Sequence, residues 1–434
     1  MPRPVRRFHP LLFVSACAVV LAACASERTL TPEQYEQRLP ALEARAEANP
    51  SNAAALRDLG EAYAQTGAYR QAENVLQRAE AAAPDDPKTL YYLGVSKEGL
   101  EQPDAALTVF ARYRDLPPRS RFQQLMAGRH GWLLRALLRD ELAALVAAED
   151  SLTAEGVTEA IAVFPLTYQG QDSLYRPLGR GLSEMLTVDL ASVEGLRVVE
   201  RLRLQTLLDE LALTQNAAFD AETVPRLGRL LRSGRVVGGV LDVQNEQLRT
   251  DVALWDWPSE PLPGLSSRQA GLAELFALEK EIVFDLLVQL GIELAPAERE
   301  ALARVPTRDL QAFLAYSRGL LEEDAGRFVE AAAFYSQAVR LDPGFAEAAQ
   351  KNQEAQAMAE VAGGVDMALA APRRSARPPG GTSLVHNRLT LLNQNLGAHV
   401  VPGDEAREPT ADVPLDPLGA EPIPDPPPPP AGGN

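Results

Sequence analysis

The chain has 434 residues, 23% of them charged, and a formal net charge of −17. That balance argues against a polyanion as main partner, because nucleic-acid binders normally carry a basic stripe. The only compact basic patch past the N-terminus is Arg373-Arg374-Ser375-Ala376-Arg377. Aromatic residues make up 6%, and much of the apolar content is Ala and Leu, as where helices dominate.

Taken in chain order, Arg3, Arg6 and Arg7 form a positive n-region, and Leu11 to Leu21 is an apolar run too short to span a bilayer. It leads into Leu21-Ala22-Ala23-Cys24, which resembles the bacterial lipobox. The resemblance implies a lipoprotein signal peptide over 1–23 and lipidation of Cys24, the mature N-terminus. Cys17 is a poorer candidate, with only Leu11 to Val14 as its apolar run. Ala25 stands where inner-membrane retention would favour Asp, so the outer membrane is expected, with the protein facing the periplasm. Arg6-Arg7 leaves Sec and twin-arginine export both open. Both cysteines lie at or before the cleavage point, so no disulfide is expected in the mature chain.

Residues 24–150 read as a helical region. Thr31 caps a helix to Ala48, with Pro32 in its first turn. Over 51–118, Leu59, Gly60, Tyr63, Gly67, Ala72, Leu76, Ala79 and Pro84 recur at Leu93, Gly94, Lys97, Glu101, Ala106, Phe110, Tyr113 and Pro118. The period of ~34 residues resembles the tetratricopeptide repeat (TPR). Small residues let paired helices approach closely, and Pro ends the second. Lys97 and Glu101 depart from the motif. Arg119 to Asp150 predicts a long connecting helix carrying Trp132, Leu133, Leu138 and Leu142.

From 159 to 293, short β-branched runs alternate with segments of helical period, predicting an α/β domain with a mixed sheet flanked by helices. Strands are expected at Ile161–Leu166, Leu196–Val199, Arg235–Val243, Gln247–Trp257 and near Ser266–Gln269. Asn245-Glu246 is the expected hairpin turn. Helices are expected over Pro177–Val193, Leu202–Leu213, Ala221–Arg232 and Leu272–Leu290. Five stretches carry a family resemblance: Ile161-Ala162-Val163-Phe164-Pro165, Leu178-Gly179-Arg180-Gly181-Leu182, Val199-Glu200-Arg201, Leu227-Gly228, and Val236-Val237-Gly238-Gly239-Val240. In that order they resemble the CsgG-like family of curli-secretion lipoproteins, whose relatives include the N-terminal domain of TolB. Glu200-Arg201 is a hallmark by that resemblance; a surface ion pair by itself is worth little, so a role in fixing the strand-to-helix turn is expected. The curli channel builds its barrel from inserted hairpins, which need strands of ~9–11 residues. Here Thr167–Arg176 and Thr214–Ala221 are too short, and Arg235–Trp257 already belongs to the sheet.

Pro296 starts a short helix, and within 296–350 the stretch Asp309–Ala349 repeats the TPR offsets at Gly319, Gly326, Ala331, Tyr335, Ala338 and Pro343. That repeat is expected to pack on the α/β block. Residues 361–434 turn to Gly, Pro, Ala and Asp, a composition of polyproline and disordered coil. Ser383–Val401 interrupts it with an apolar island, a docking peptide or a patch that folds back.

Of the histidines, His9 falls within the signal peptide, while His130, His386 and His399 have no Cys, Asp or Glu at ligand spacing. Gly179-Arg180-Gly181 lacks the third glycine of a dinucleotide fingerprint, Glu184 standing there, and reads as close helix–strand packing. No cofactor, metal site or enzymatic activity is expected. The resemblance implies a lipid-anchored periplasmic scaffold of an envelope assembly or secretion system, working through protein partners, with homo-oligomerisation open. Two alternatives stand beside it: a lipoprotein activating a cell-wall synthase, and an oligomeric outer-membrane channel.

Overall fold

A computed structural model describes residues 30–117, 120–151, 158–213, 223–256 and 265–363. Cys24 and the expected signal peptide over 1–23, the Thr214–Ala221 connection, and the tail from 364 with its Ser383–Val401 island lie outside the described residues. The chain divides into two compact units between Ser96 and Lys97.

In the first unit, α1 (Pro32–Ala48) starts on a capping box. The Thr31 hydroxyl accepts from the Gln34 amide, and the Gln34 side chain accepts from the Thr31 amide at 2.9 Å. This satisfies two orphan donors of the first turn. The helices α2 (Ala53–Gln65) and α3 (Tyr69–Ala82) form a hairpin whose core joins Leu56, Leu59, Val75 and Ala79 to Ala46 of α1. Gly60 is needed because a Cβ there would drive into Leu76. At the start of α4 (Pro87–Gly99), Tyr92 donates to Glu61 at 3.0 Å and Lys88 pairs with it at 2.8 Å.

The turn after α2 shows how the repeat is written. Gly67 sits at φ +77°, and the Ala68 amide reaches back to the Tyr63 carbonyl at 2.8 Å. This is a left-handed helix cap, where glycine carries no Cβ penalty. Gly326 holds the same place at φ +74°, with Arg327 bonded to Glu322 at 2.9 Å. Glu101, the departure noted in the second repeat, takes φ 58° and the same Gln102-to-Lys97 bond at 2.9 Å. The backbone keeps the repeat's conformation where the residue type has changed.

The second unit opens with the end of α4, then α5 (Pro103–Phe110) and the long α6 (Arg121–Ala147). The α/β block follows. β1 (Thr158–Val163) and β2 (Thr167–Tyr168) lie end to end along β3 (Ser233–Gln244), both parallel to it. The expected polar loop thus holds a two-residue strand. Between β1 and β2, Pro165 has no amide to offer a ladder. The Leu166 amide turns to the Ser183 hydroxyl at 2.8 Å, and a Cβ on Gly179 would strike the Leu166 carbonyl. Gly179 therefore does serve close helix–strand packing.

Those contacts dock α7 (Leu178–Ala191) against the sheet, followed by α8 (Arg201–Glu210) and α9 (Thr223–Leu231). The stretch Leu196–Val199 is not a full strand: Val198 forms a single parallel bridge to Ile161. Between the Gly195 turn at φ +81° and the α8 cap at Glu200 there is no room for a longer ladder. β3 pairs antiparallel with β4 (Gln247–Asp256) through the turn at Asn245 and Glu246, both at positive φ, and β4 pairs with β5 (Leu265–Gly271). The sheet order is β1-β3-β4-β5, mixed as expected. Val237, Leu241, Leu248, Val252 and Leu254 share one face and one core with α7 and α10 (Leu275–Gln289).

After α11 (Pro296–Leu302), the repeat hairpin α12 (Leu310–Asp324) and α13 (Phe328–Leu341) joins that core through Phe313, Leu314, Leu320 and Tyr335. Gly181 of α7 makes the approach: a Cβ there would meet Ser317 and Phe313 of α12. The chain stays helical beyond Ala349, in α14 (Ala346–Gly363), built from strong helix formers. α14 lies on α6, where Gly128 and Gly131 leave no space for a Cβ beside Ala357 and Met358, and the Trp132 indole donates to the Met358 carbonyl at 2.9 Å. No described helix is long and apolar enough to cross a membrane.

Glu101→Gly is expected to raise stability by about 0.5–1 kcal/mol, since a non-glycine residue in the left-handed region costs about 1–2 kcal/mol, offset in part by unfolded-chain entropy. Chemical denaturation of the two proteins checks it.

Candidate functional site

Where α7, α8, α12 and α14 meet, charged side chains are gathered in an otherwise apolar interior. Arg201, first residue of α8, sends its guanidinium to Glu184 of α7 at 3.3 Å and to Glu323 and Asp324 at the end of α12. Arg180 of α7 reaches the same Asp324 at 2.6 Å and Glu184 at 3.5 Å. Glu323 also takes Arg135 of α6 at 3.2 Å, Lys351 of α14 at 3.4 Å and the Tyr335 hydroxyl at 2.7 Å. Lys351 also meets Glu354 at 3.4 Å. Arg180, Glu323 and Asp324 are each at most 9% exposed at the side chain, so these charges are desolvated and must compensate one another.

Burial alone would raise the Glu323 carboxyl, but Arg201, Lys351 and Arg135 with the Tyr335 hydroxyl hold it well below the usual carboxylate range. For Arg201, burial works against the charge and Glu323, Asp324 and Glu184 outweigh it, keeping the guanidinium ionised. Glu200 is the exception. Burial pushes its carboxyl up to about 7, with only Arg203 opposing, and its Oε1 atom is buried without a hydrogen bond. A second buried group lies where α7 faces α10: Lys280 pairs with Asp189 and, at 3.4 Å, with the fully buried Glu279. Burial and the neighbouring Asp189 raise the Glu279 carboxyl well above its ordinary range.

Beside the main cluster opens a cleft of about 290 Å³. Leu134 of α6, Val188 of α7, Leu202 of α8, Phe328 of α13 and Met358 of α14 form its apolar walls, and Glu200 and Lys351 are among its charged groups. His130 also lines it, packed against Tyr113 with ring centres 5.7 Å apart. Chemically the arrangement can hold a ligand or fix helices, and apart from Glu200 the lining carboxylates are paired with cations. Among the described residues no group of three or more His, Cys, Asp or Glu is placed to hold a metal ion.

The structure corrects the reading of Glu200-Arg201. The two side chains part: Arg201 makes a long-range bracket from the α/β block to the C-terminal repeat, and Glu200 faces the cleft without it. Glu184, noticed in the sequence only as a missing glycine, is a partner in that bracket. Glu323, Asp324, Arg135 and Lys351 left no signal, because charges on helix ends usually mark solvated faces.

Replacing Arg201 with Met should destabilise the second unit by about 3–5 kcal/mol, because it strands buried carboxylates; Arg201→Lys should fall between, keeping charge without the fork. Guanidinium titrations give both values. Glu200 has a raised folded pKa, so its ionisation costs stability as pH climbs from 4.5 to about 7, and the cost is absent below 4.5. Glu200→Gln should therefore match the native chain at pH 4 and exceed it in stability at pH 8, measured by thermal unfolding at each pH.

Comparison with known families places two stretches. Residues 149–249 match the family described as "Curli production assembly/transport component CsgG", and this span takes in Arg180, Glu184, Glu200 and Arg201. Residues 32–91 match "Tetratricopeptide repeat", from α1 into α4. No curated protein matches the chain. The cluster thus ties a family-matched segment to helices α12 and α14, which neither match includes. The chain carries a CsgG-like segment together with tetratricopeptide repeats.

Proposed function

We propose that this protein is a non-enzymatic scaffold of the cell envelope, held at the outer membrane by acyl chains on Cys24 and facing the periplasm. The observation that carries the reading is the presence in one chain of a CsgG-like segment, from a family described as an assembly/transport component, and tetratricopeptide repeats. Such repeats act by presenting surfaces to other proteins. The buried cluster supports the same role: it commits its charges to holding α7, α8, α12 and α14 together, which makes a rigid body for partners to dock on. β3 has sheet neighbours on both sides, which favours a structural place for the β3–β4 hairpin over a barrel-forming one. Multiple acyl chains make an anchor effectively stable, whereas one gives marginal binding.

Fractionation of cells producing the native chain and Cys24→Ser tests the reading. The native protein should sediment with membranes and need detergent for release, and the variant should move to the soluble fraction. A variant that stays with the membranes removes the anchor. A ring of many copies on sizing the detergent extract would replace the scaffold with a channel.

A further inference from the structure

Of the four carboxylates that line the cleft, Glu184, Glu323 and Glu354 each meet a lining cation, and Glu200 does not. Every lining cation is engaged: Arg201 with Glu184, Glu323 and Asp324, Arg135 with Glu323, Lys351 with Glu323 and Glu354, and Arg114 over the Tyr113 ring at 5.0 Å. Glu200 also lines the cleft, and its Oε1 is buried yet accepts no hydrogen bond. Arg203, the cation nearest in effect, gives its own Nη1 to Glu141 at 3.1 Å. A buried acceptor without a donor is costly, more so when charged, and a ligand that brings the donor recovers that cost.

We propose that this cleft binds an alkylguanidinium group, the end of an arginine side chain carried by a protein partner, with Glu200 as its counter-anion. The volume of about 290 Å³ lies near the lower bound for drug-sized pockets and suits a single side chain. Leu134, Val188, Leu202 and Met358 offer apolar wall to a methylene stem. A guanidinium is more weakly hydrated than an ammonium and gives up less on entering a half-enclosed site. The net charge of −17 draws cationic partners toward the molecule. This property is separate from membrane attachment, so Cys24→Ser protein should bind as the native chain does.

The test is titration of the full-length protein with n-butylguanidinium, followed by ligand-observed NMR and calorimetry, with n-butylurea as the uncharged isostere. Saturable binding of the cation is expected, displaced by a blocked Gly-Arg-Gly peptide, with none for the urea. Glu200→Gln should weaken it about tenfold or more, the loss of one charged hydrogen bond. Val188→Trp, at a rim position 52% exposed and so tolerant of change, should weaken it by narrowing the mouth. The proposal is overturned if the native protein shows no saturable binding, if the peptide fails to displace the probe, or if folded Glu200→Gln binds equally well.

Discussion

The second unit depends on the Arg201 guanidinium finding three carboxylates at once. Removing a cation and its partners from water costs several kcal/mol per ion, and only near-complete pairing recovers that. Glu184, Glu323 and Asp324 supply the pairing from two helices far apart in sequence, and Arg180 completes it by sharing Glu184 and Asp324. A hydrophobic contact tolerates sliding, but this arrangement does not. A shift of α12 by one turn would leave two buried acids without a base, so the cluster sets the register of the C-terminal repeat on α7.

Glycines set the distances that make this geometry reachable. Gly179 brings α7 onto the Leu166 carbonyl, and Gly181, on the face toward α12, brings Ser317 and Phe313 close. With the two helices so near, Arg180 lies within reach of Asp324. Backbone approach comes first and charge pairing follows from it. Glu200 is carried inward by the same docking because it caps the helix whose next residue is Arg201. Its unpaired oxygen follows from that position.

How much of this was legible in the sequence follows from which physical demand leaves a residue-type trace. The repeats were readable because close helix approach admits only small residues: Gly60 against Leu76 and Gly319 against Tyr335 are the same contact at the same offset. The hairpin was readable from two β-branched runs flanking Asn245-Glu246. The ion cluster was not, since Glu322-Glu323-Asp324 on a helix end has the composition of a solvated face. Leu196–Val199 had strand-like residues, but the adjacent turn and cap leave it one bridge. α14 escaped because its Ala, Gln and Glu content gives no apolar stripe, although Ala355, Met358 and Val361 are buried on α6 and its neighbours.

The seam between α6 and α14 has a consequence for folding. Trp132 and Met358 are 226 residues apart in sequence, so the chain must close a very long loop before that seam forms. Until nearly all the described helical chain is available, the glycine-flattened side of α6 has no mate in α14. A protein so arranged completes its second unit late, and a truncation before Met358 takes from the Trp132 indole its hydrogen-bond acceptor while leaving its contact with the Phe328 ring.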